Sequence, residues 1–182
     1  MNIEKGLEIE VKIKVESLPP WREKLIALGA APQSPRAFER NLVFDTLRNV
    51  LKKRGMLLRL RAAGGRNILT MKLPVRPDAV YKIREETETE VGDFQKMEMI
   101  LRGIGFRRFF AYEKYREVLL LEGVRVMLDE TPIGPFIEIE GEPAAIDGTA
   151  ALLGFCRDDY ITDSYHRLFI LSGRSGDMVF PR

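Results

Sequence analysis

The chain has 182 residues, 45% of them hydrophobic, and its 29 Lys and Arg against 27 Asp and Glu leave a net charge of +2. That length suits one domain with a sizeable core, and no apolar run approaches the roughly 18 residues a membrane helix needs. A single cysteine, Cys156, excludes an internal disulfide and a multi-cysteine zinc site; the opening Met1-Asn2-Ile3-Glu4-Lys5 lacks a signal-peptide layout, so a cytoplasmic location is expected.

Residues 7–16 alternate strictly between apolar and charged, which predicts a strand with Leu7, Ile9, Val11, Ile13 and Val15 on one face and Glu8, Glu10, Lys12, Lys14 and Glu16 on the other. Pro19-Pro20 opens a helix that Gly29 stops after Leu28. Residues 38–45 read as a strand, 47–53 as a turn or short helix, and 56–62 and 67–73 as a hairpin about Gly64-Gly65. A connection from Pro74 to Pro77 leads to a strand over 80–91, whose even positions Lys82, Arg84, Glu86, Glu88 and Glu90 are all charged. Asp93 is placed to cap a helix to Leu101, ended by Gly103 and Gly105. Strands follow at 110–121 and 124–129, then a turn over 131–135 and an alternating strand, Phe136-Ile137-Glu138-Ile139-Glu140. Helices fit 143–153, stopped by Gly154, and a last segment capped by Asp163 and running to Leu171; the tail from Ser172 is expected to be loosely held.

The charges are unevenly spread. From Arg48 to Arg76 there are nine Lys and Arg and no acid, whereas Glu85, Glu86, Glu88, Glu90, Asp93 and Glu98 dominate the next stretch. A basic block implies an anionic partner, an acidic block nearby can hold a divalent cation, and phosphate with a metal ion satisfies both.

About eight antiparallel strands with three or four amphipathic helices suffice to close a barrel around one small ligand. Two orientations remain. Either the strand charges face water around an apolar centre, or the apolar faces lie outward under helical residues such as Leu25, Ile26, Leu28, Met97, Ile100, Leu101, Leu152 and Leu153, and the charges line a lumen. A charged lumen is costly unless its ions pair or bind a ligand.

Glu8-Ile9-Glu10-Val11-Lys12 resembles the ExExK signature of the CYTH family, the triphosphate tunnel metalloenzymes. Phe44-Asp45-Thr46, Leu58-Arg59-Leu60-Arg61, Leu69-Thr70-Met71-Lys72, Arg84-Glu85-Glu86-Thr87-Glu88, Glu113-Lys114-Tyr115-Arg116, Leu128-Asp129, Gly134 to Glu140 and Ser164-Tyr165 stand in the family's order, over about residues 5–170. Gly105-Phe106 and the Glu-Lys-x-Arg that follows make the chain most similar to the class IV adenylyl cyclase-like branch, which is related to the thiamine and inorganic triphosphatases.

The resemblance implies an α+β fold: an eight-stranded antiparallel β-barrel, a tunnel with a charged lumen, covered by three or four helices and spanning 1–172, with 173–182 a tail. It implies a triphosphate substrate, such as ATP, thiamine triphosphate or tripolyphosphate, gripped by Lys12, Arg59, Arg61, Lys72, Arg84, Lys114 and Arg116. It implies Mg²⁺ or Mn²⁺ held by carboxylates, with Glu8, Glu10, Glu138 and Glu140 foremost and Glu88 and Asp129 behind them. Lys12, Glu138 and Glu140 are the candidates for the chemistry.

The family often has Gln-x-Asp-x-Tyr-Phe before the Asp-Thr; here Glu39-Arg40-Asn41-Leu42-Val43-Phe44 stands there, which bears on contacts beyond the phosphates. Hydrolysis of a terminal phosphate and cyclisation of ATP to cyclic AMP both remain open. Binding of RNA without turnover is disfavoured because no Phe, Tyr or Trp lies among the basic residues 48–76. A monomer or homodimer is expected. His166 and Trp21 read as packing residues, Cys156 as a small buried apolar one, and Tyr165 as a brace at the tunnel mouth.

Overall fold

The computed structural model describes residues 6–75 and 78–181. Arg76 of the basic block, Pro77 of the proline-bounded connection, Met1–Lys5 and Arg182 lie outside the described residues. Eight strands, β1 (Leu7–Lys14), β2 (Ala31–Thr46), β3 (Leu57–Ala63), β4 (Arg66–Pro74), β5 (Lys82–Glu90), β6 (Phe106–Leu121), β7 (Val124–Thr131) and β8 (Gly134–Glu140), form an antiparallel barrel. It closes in the order β1-β5-β4-β3-β2-β6-β7-β8. Among the described residues five α-helices accompany it: α1 (Pro19–Ala27), the single turn α2 (Val50–Lys53), α3 (Phe94–Gly103), α4 (Pro143–Leu153) and α5 (Tyr165–Leu171).

Alternation fixes which face is wet. Ile9, Val11 and Ile13 of β1, Val126 and Leu128 of β7, and Ile137 and Ile139 of β8 point outward and pack with Leu25 of α1 and Ile146, Ala150 and Leu153 of α4. On another side of the barrel Leu42, Phe44, Leu58 and Leu60 pack with Leu101 of α3. The helices therefore cover the barrel's apolar outside, and the charged residues between these positions point to the axis. Not every helical apolar residue shares in this: Ile26, Leu28, Ile100 and Leu152 stay largely exposed.

Local signals explain several boundaries. Gly64 and Gly65 both take positive φ, 55° and 79°, as a two-residue hairpin turn demands. Asp93 accepts from the Lys96 backbone N–H and starts α3. The last helix is capped by Ser164, which accepts from the Arg167 N–H, and not by Asp163. β2 begins at Ala31, seven residues before the expected start, because register shifts at Pro32–Ser34 and Ser34–Ala37 let it run past its prolines.

Two short contacts seal the wall where neighbouring strands fall short. Lys12 of β1 exchanges backbone hydrogen bonds with Ile161, at 3.0 and 2.8 Å. Residues 111–113 of β6 bond to Met178, whose side chain is fully buried. Asp177 accepts from the Ala111 N–H, and the Phe180 N–H donates to Glu113. The tail is thus docked, contrary to the loose end expected from its position. Cys156 also departs from expectation: it is exposed, at the start of a short 3₁₀ turn over Arg157–Asp159.

Candidate active site

The inward faces enclose a cavity of about 450 Å³ in which Lys and Arg outnumber Asp and Glu by eleven to seven among the lining residues. Twelve of the thirteen residues assigned to substrate, metal or chemistry from the sequence line it: Glu8, Glu10, Lys12, Arg59, Arg61, Lys72, Arg84, Lys114, Arg116, Glu138 and Glu140, with Glu88 at its rim. Asp129 lies behind them, fully buried.

Two networks divide the lumen. At the β1–β8 seam, where Glu10 faces Glu140 and Lys12 faces Glu138 across the strands, Lys12 Nζ sits 3.0 Å from Glu10 and 3.3 Å from Glu138. Burial would raise the Glu10 carboxyl, but Lys12 and Lys82 outweigh it and hold it well below the usual carboxylate range. Glu138 is held low in the same way, burial being overcome by Arg116 and Lys12. Burial would lower Lys12; Glu10 and Glu138 overcome it and keep the ammonium protonated. Arg116 bonds bidentately to Asp129 at 2.6 and 2.5 Å and also reaches Glu138. Asp129 further accepts from Lys114 at 2.9 Å and from the Tyr165 hydroxyl. The sequence grouped Asp129 with metal-facing carboxylates; in the structure its oxygens are taken by three donors, and it orients cations.

The opposite wall is built by β3, β4 and β5. Arg59 donates to the Tyr112 hydroxyl, to Thr70 and to Glu88. Arg61 lies 3.4 Å from Glu88 and 3.8 Å from Glu39. Burial and the adjacent Arg59 both depress the Arg61 guanidinium, so the pair is held together against its own repulsion. Lys72 pairs with Glu8 and, at 3.3 Å, with Glu86. Arg84, opposite Glu8 in the β1–β5 register, lines the cavity and makes no ion pair among the described residues.

Among the described residues no three carboxylates converge into a preformed metal cage; the six carboxylates proposed for metal are drawn toward neighbouring cations instead. Their chemistry nevertheless fits a divalent cation. Burial raises the Glu140 carboxyl, and Glu8 and Glu10 reinforce that against Arg125. Burial raises Glu86 too, again with Glu8 adding to it. Hard oxygen donors on adjacent strands that burial and mutual repulsion push toward protonation are what Mg²⁺ or Mn²⁺ relieves.

Several lumen residues escaped the assignment. Glu39 is buried near Lys114 and Arg61, Asn41 is fully buried with neither amide atom bonded, and Tyr112 and Lys82 line the cavity. The period-2 rule through Glu39, Asn41 and Val43 was the available signal. Tyr165, expected as a brace at the tunnel mouth, is the first residue of α5 and is buried against Phe136.

A CYTH domain family model matches residues 6–153. A curated protein of Methanocaldococcus jannaschii, named as a candidate adenylate cyclase, is 28% identical over 135 residues, 74% of this chain and 76% of its own length. The crystal structure of a candidate adenylate cyclase from Vibrio parahaemolyticus superposes with a TM-score of 0.78 at 19% identity, covering 93% of this chain and 99% of that one, and shows the shared fold. HpAC1 from Hippeastrum, a candidate adenylyl cyclase described as having a dominant triphosphatase activity, is 25% identical with a TM-score of 0.64, covering 92% of this chain and 97% of its own.

Proposed function

Since the chain belongs to the CYTH domain family, whose members act on triphosphates, we propose that it is a divalent-metal-dependent triphosphatase that releases orthophosphate from a triphosphate held in the lumen. The observation that carries this reading is the cation-rich axis of a closed barrel, bordered by a carboxylate seam. A polyanion resolves the excess of positive charge that Arg59 and Arg61 embody.

Arg59, Arg61, Arg84 and Arg116 grip phosphate oxygens through their planar forks, and Lys72 and Lys114 act as point charges. Glu8, Glu10 and Glu138 would hold Mg²⁺ or Mn²⁺, with Glu88 further out. When bound, the cation neutralises phosphate oxygens and lowers the pKa of water. Water bonds to the terminal phosphorus as the bridging P–O bond breaks, leaving orthophosphate and a diphosphate. Glu140, which faces Glu10 across the β1–β8 seam and lines the cavity, is the acceptor for the water proton. Lys12 stays protonated and stabilises the charge that develops. Asp129 and Tyr165 hold Arg116 and Lys114 in place. We place this activity in the cytoplasm, where the lone exposed Cys156 stays reduced.

Product analysis tests it. The protein is incubated with tripolyphosphate, thiamine triphosphate and ATP, with Mg²⁺ and then Mn²⁺. Orthophosphate release is expected. Pyrophosphate with cyclic AMP would instead establish cyclisation, the reading that the name of the M. jannaschii relative favours; no turnover would sink the enzymatic proposal.

A further inference from the structure

Among the described residues, every buried side-chain nitrogen or oxygen without a hydrogen-bond partner stands on one wall of the lumen: Glu39 Oε2, both amide atoms of Asn41, Arg59 Nε and Arg61 Nε. Asn41 has no solvent exposure, and it faces Arg61 across β2–β3 and Tyr112 across β2–β6. Buried polar groups are normally bonded, so five orphan atoms on neighbouring inward positions mark an arrangement that a ligand completes. The nearby acid is engaged elsewhere. Glu39 lies 3.7 Å from Lys114; burial would raise its carboxyl, but Lys114, Arg116 and Arg61 outweigh that and hold it low. Arg61 keeps only long contacts, 3.4 Å to Glu88 and 3.8 Å to Glu39. In the family's Gln-x-Asp the acid often stands opposite Arg61 and the amide opposite Lys114. Glu39 and Asn41 reverse that order, which moves the negative charge two residues, roughly 7 Å, along β2.

We propose that Asn41 is a positioning residue that leaves Arg61 unneutralised in the free protein and aims it when phosphate binds, through a hydrogen-bond relay from Arg61 to Asn41 to Glu39. The orphan atoms are complementary. Arg61 Nε donates to Asn41 Oδ1, and Asn41 Nδ2 donates to Glu39 Oε2, two residues away on the same strand face. Phosphate closes the relay by drawing the guanidinium off Glu88. With Nε held by Asn41, the terminal nitrogens of Arg61 are left for a two-pronged contact with phosphate oxygens. An acid in place of Asn41 takes those nitrogens itself and competes with the substrate. An apolar residue leaves Nε unbonded and the guanidinium unaimed. The inference rests on reading the lumen as the triphosphate clamp.

The test is calorimetric titration of tripolyphosphate in EDTA, which removes turnover, alongside thermal melts. The double variant Glu39→Gln with Asn41→Asp keeps the charge of the lumen and returns the acid to the position opposite Arg61. It should bind tripolyphosphate about tenfold or more weakly, because one charge-assisted contact is lost, while melting no lower than wild type. Asn41→Leu also keeps the charge and removes both amide atoms. It should weaken binding by about fivefold or more and melt at or above wild type, since a buried unbonded amide is gone. The calorimetric stoichiometry counts folded sites, so lost protein is read apart from lost affinity. Either variant binding within about twofold of wild type overturns the proposal. Weaker binding in which both variants also melt well below wild type is the result for an amide that serves packing alone, and it overturns the proposal too. Wild-type protein that does not bind tripolyphosphate sinks the clamp and the relay with it. Binding without hydrolysis in Mg²⁺, with both variants behaving as expected, sinks the triphosphatase reading and leaves the relay standing.

Discussion

The Tyr165 hydroxyl donates to Asp129 Oδ2 at 2.6 Å, tying the first turn of α5 to a carboxylate with no solvent exposure that also holds Lys114 and Arg116. Through this contact a helix outside the barrel fixes the geometry of two lumen cations. Tyr165→Phe removes the donor and leaves a buried acceptor short of one partner. It should cost about 1–3 kcal/mol of stability and weaken tripolyphosphate binding. Asp129→Ala, which strands two buried cations, should cost about 3–5 kcal/mol. Urea melts of both variants check the order; equal stability of Asp129→Ala and wild type would refute the orienting role.

Arg61 sits in the opposite situation. Burial and Arg59 work against it, and its ion-pair distances of 3.4 and 3.8 Å are long. Arg61→Met should therefore raise the melting temperature of the free protein by a few degrees, on the order of 1 kcal/mol. The same change should weaken tripolyphosphate affinity by at least about tenfold, since a charge-assisted contact is worth about 1.5–3 kcal/mol. A variant that is less stable and binds normally would place Arg61 outside the clamp.

Removing Glu8 tests the metal assignment with little damage to the fold, because Lys72 keeps Glu86 as a partner at 3.3 Å. Glu8→Gln should lower turnover by about a hundredfold or more, with a melting temperature close to wild type. Raising the Mn²⁺ concentration should recover part of the loss. Normal activity at low metal would exclude Glu8 from the metal-holding set.

The depressed carboxylates Glu10 and Glu138 set the acid limit. Their folded-state pKa values lie below the unfolded ones because lysine and arginine partners outweigh burial. Each contributes stability that is fully present above the ordinary carboxylate range near 4.5. That contribution is lost as pH falls toward the folded values. Melting temperature should stay flat from neutral pH down to about 5 and drop steeply below it. A Glu138→Gln variant should start lower and lose less between those limits.

The tail offers a stability prediction without chemistry. Met178 is fully buried among Phe110, Tyr112 and Phe136. Met178→Ala should cost about 2–5 kcal/mol, measured by chemical denaturation, whereas the same truncation at exposed Val179 should be nearly silent.

Strand alternation in β1, β5 and β8 made the barrel and most of its inward charges legible, since a period of two assigns every second residue to one face. Alternation is symmetric, however, and does not say which face is wet; the ordered motifs decided that. The upstream half of β2 was hidden by Pro32 and Pro35, which read as breakers until register shifts accommodate them. Glu39 and Asn41 were seen as a departure from the family's motif before they were seen as lumen residues. Asp163 and Ser164 are both good caps, and only backbone geometry chooses between them. Met178 joins β6 through one isolated parallel bridge, a pairing that leaves no periodic trace.

β1 is laid between β5 and β8, so the earliest strand of the barrel meets a neighbour more than a hundred residues downstream. Contacts so distant in sequence make assembly slow, in roughly the millisecond-to-second range typical of β-rich topologies. Glu10 and Glu138, one on each side of that seam, meet only when the cylinder zips shut. A half-assembled chain therefore has no partial clamp, and anion binding should return in step with the final cooperative phase of refolding and not before it.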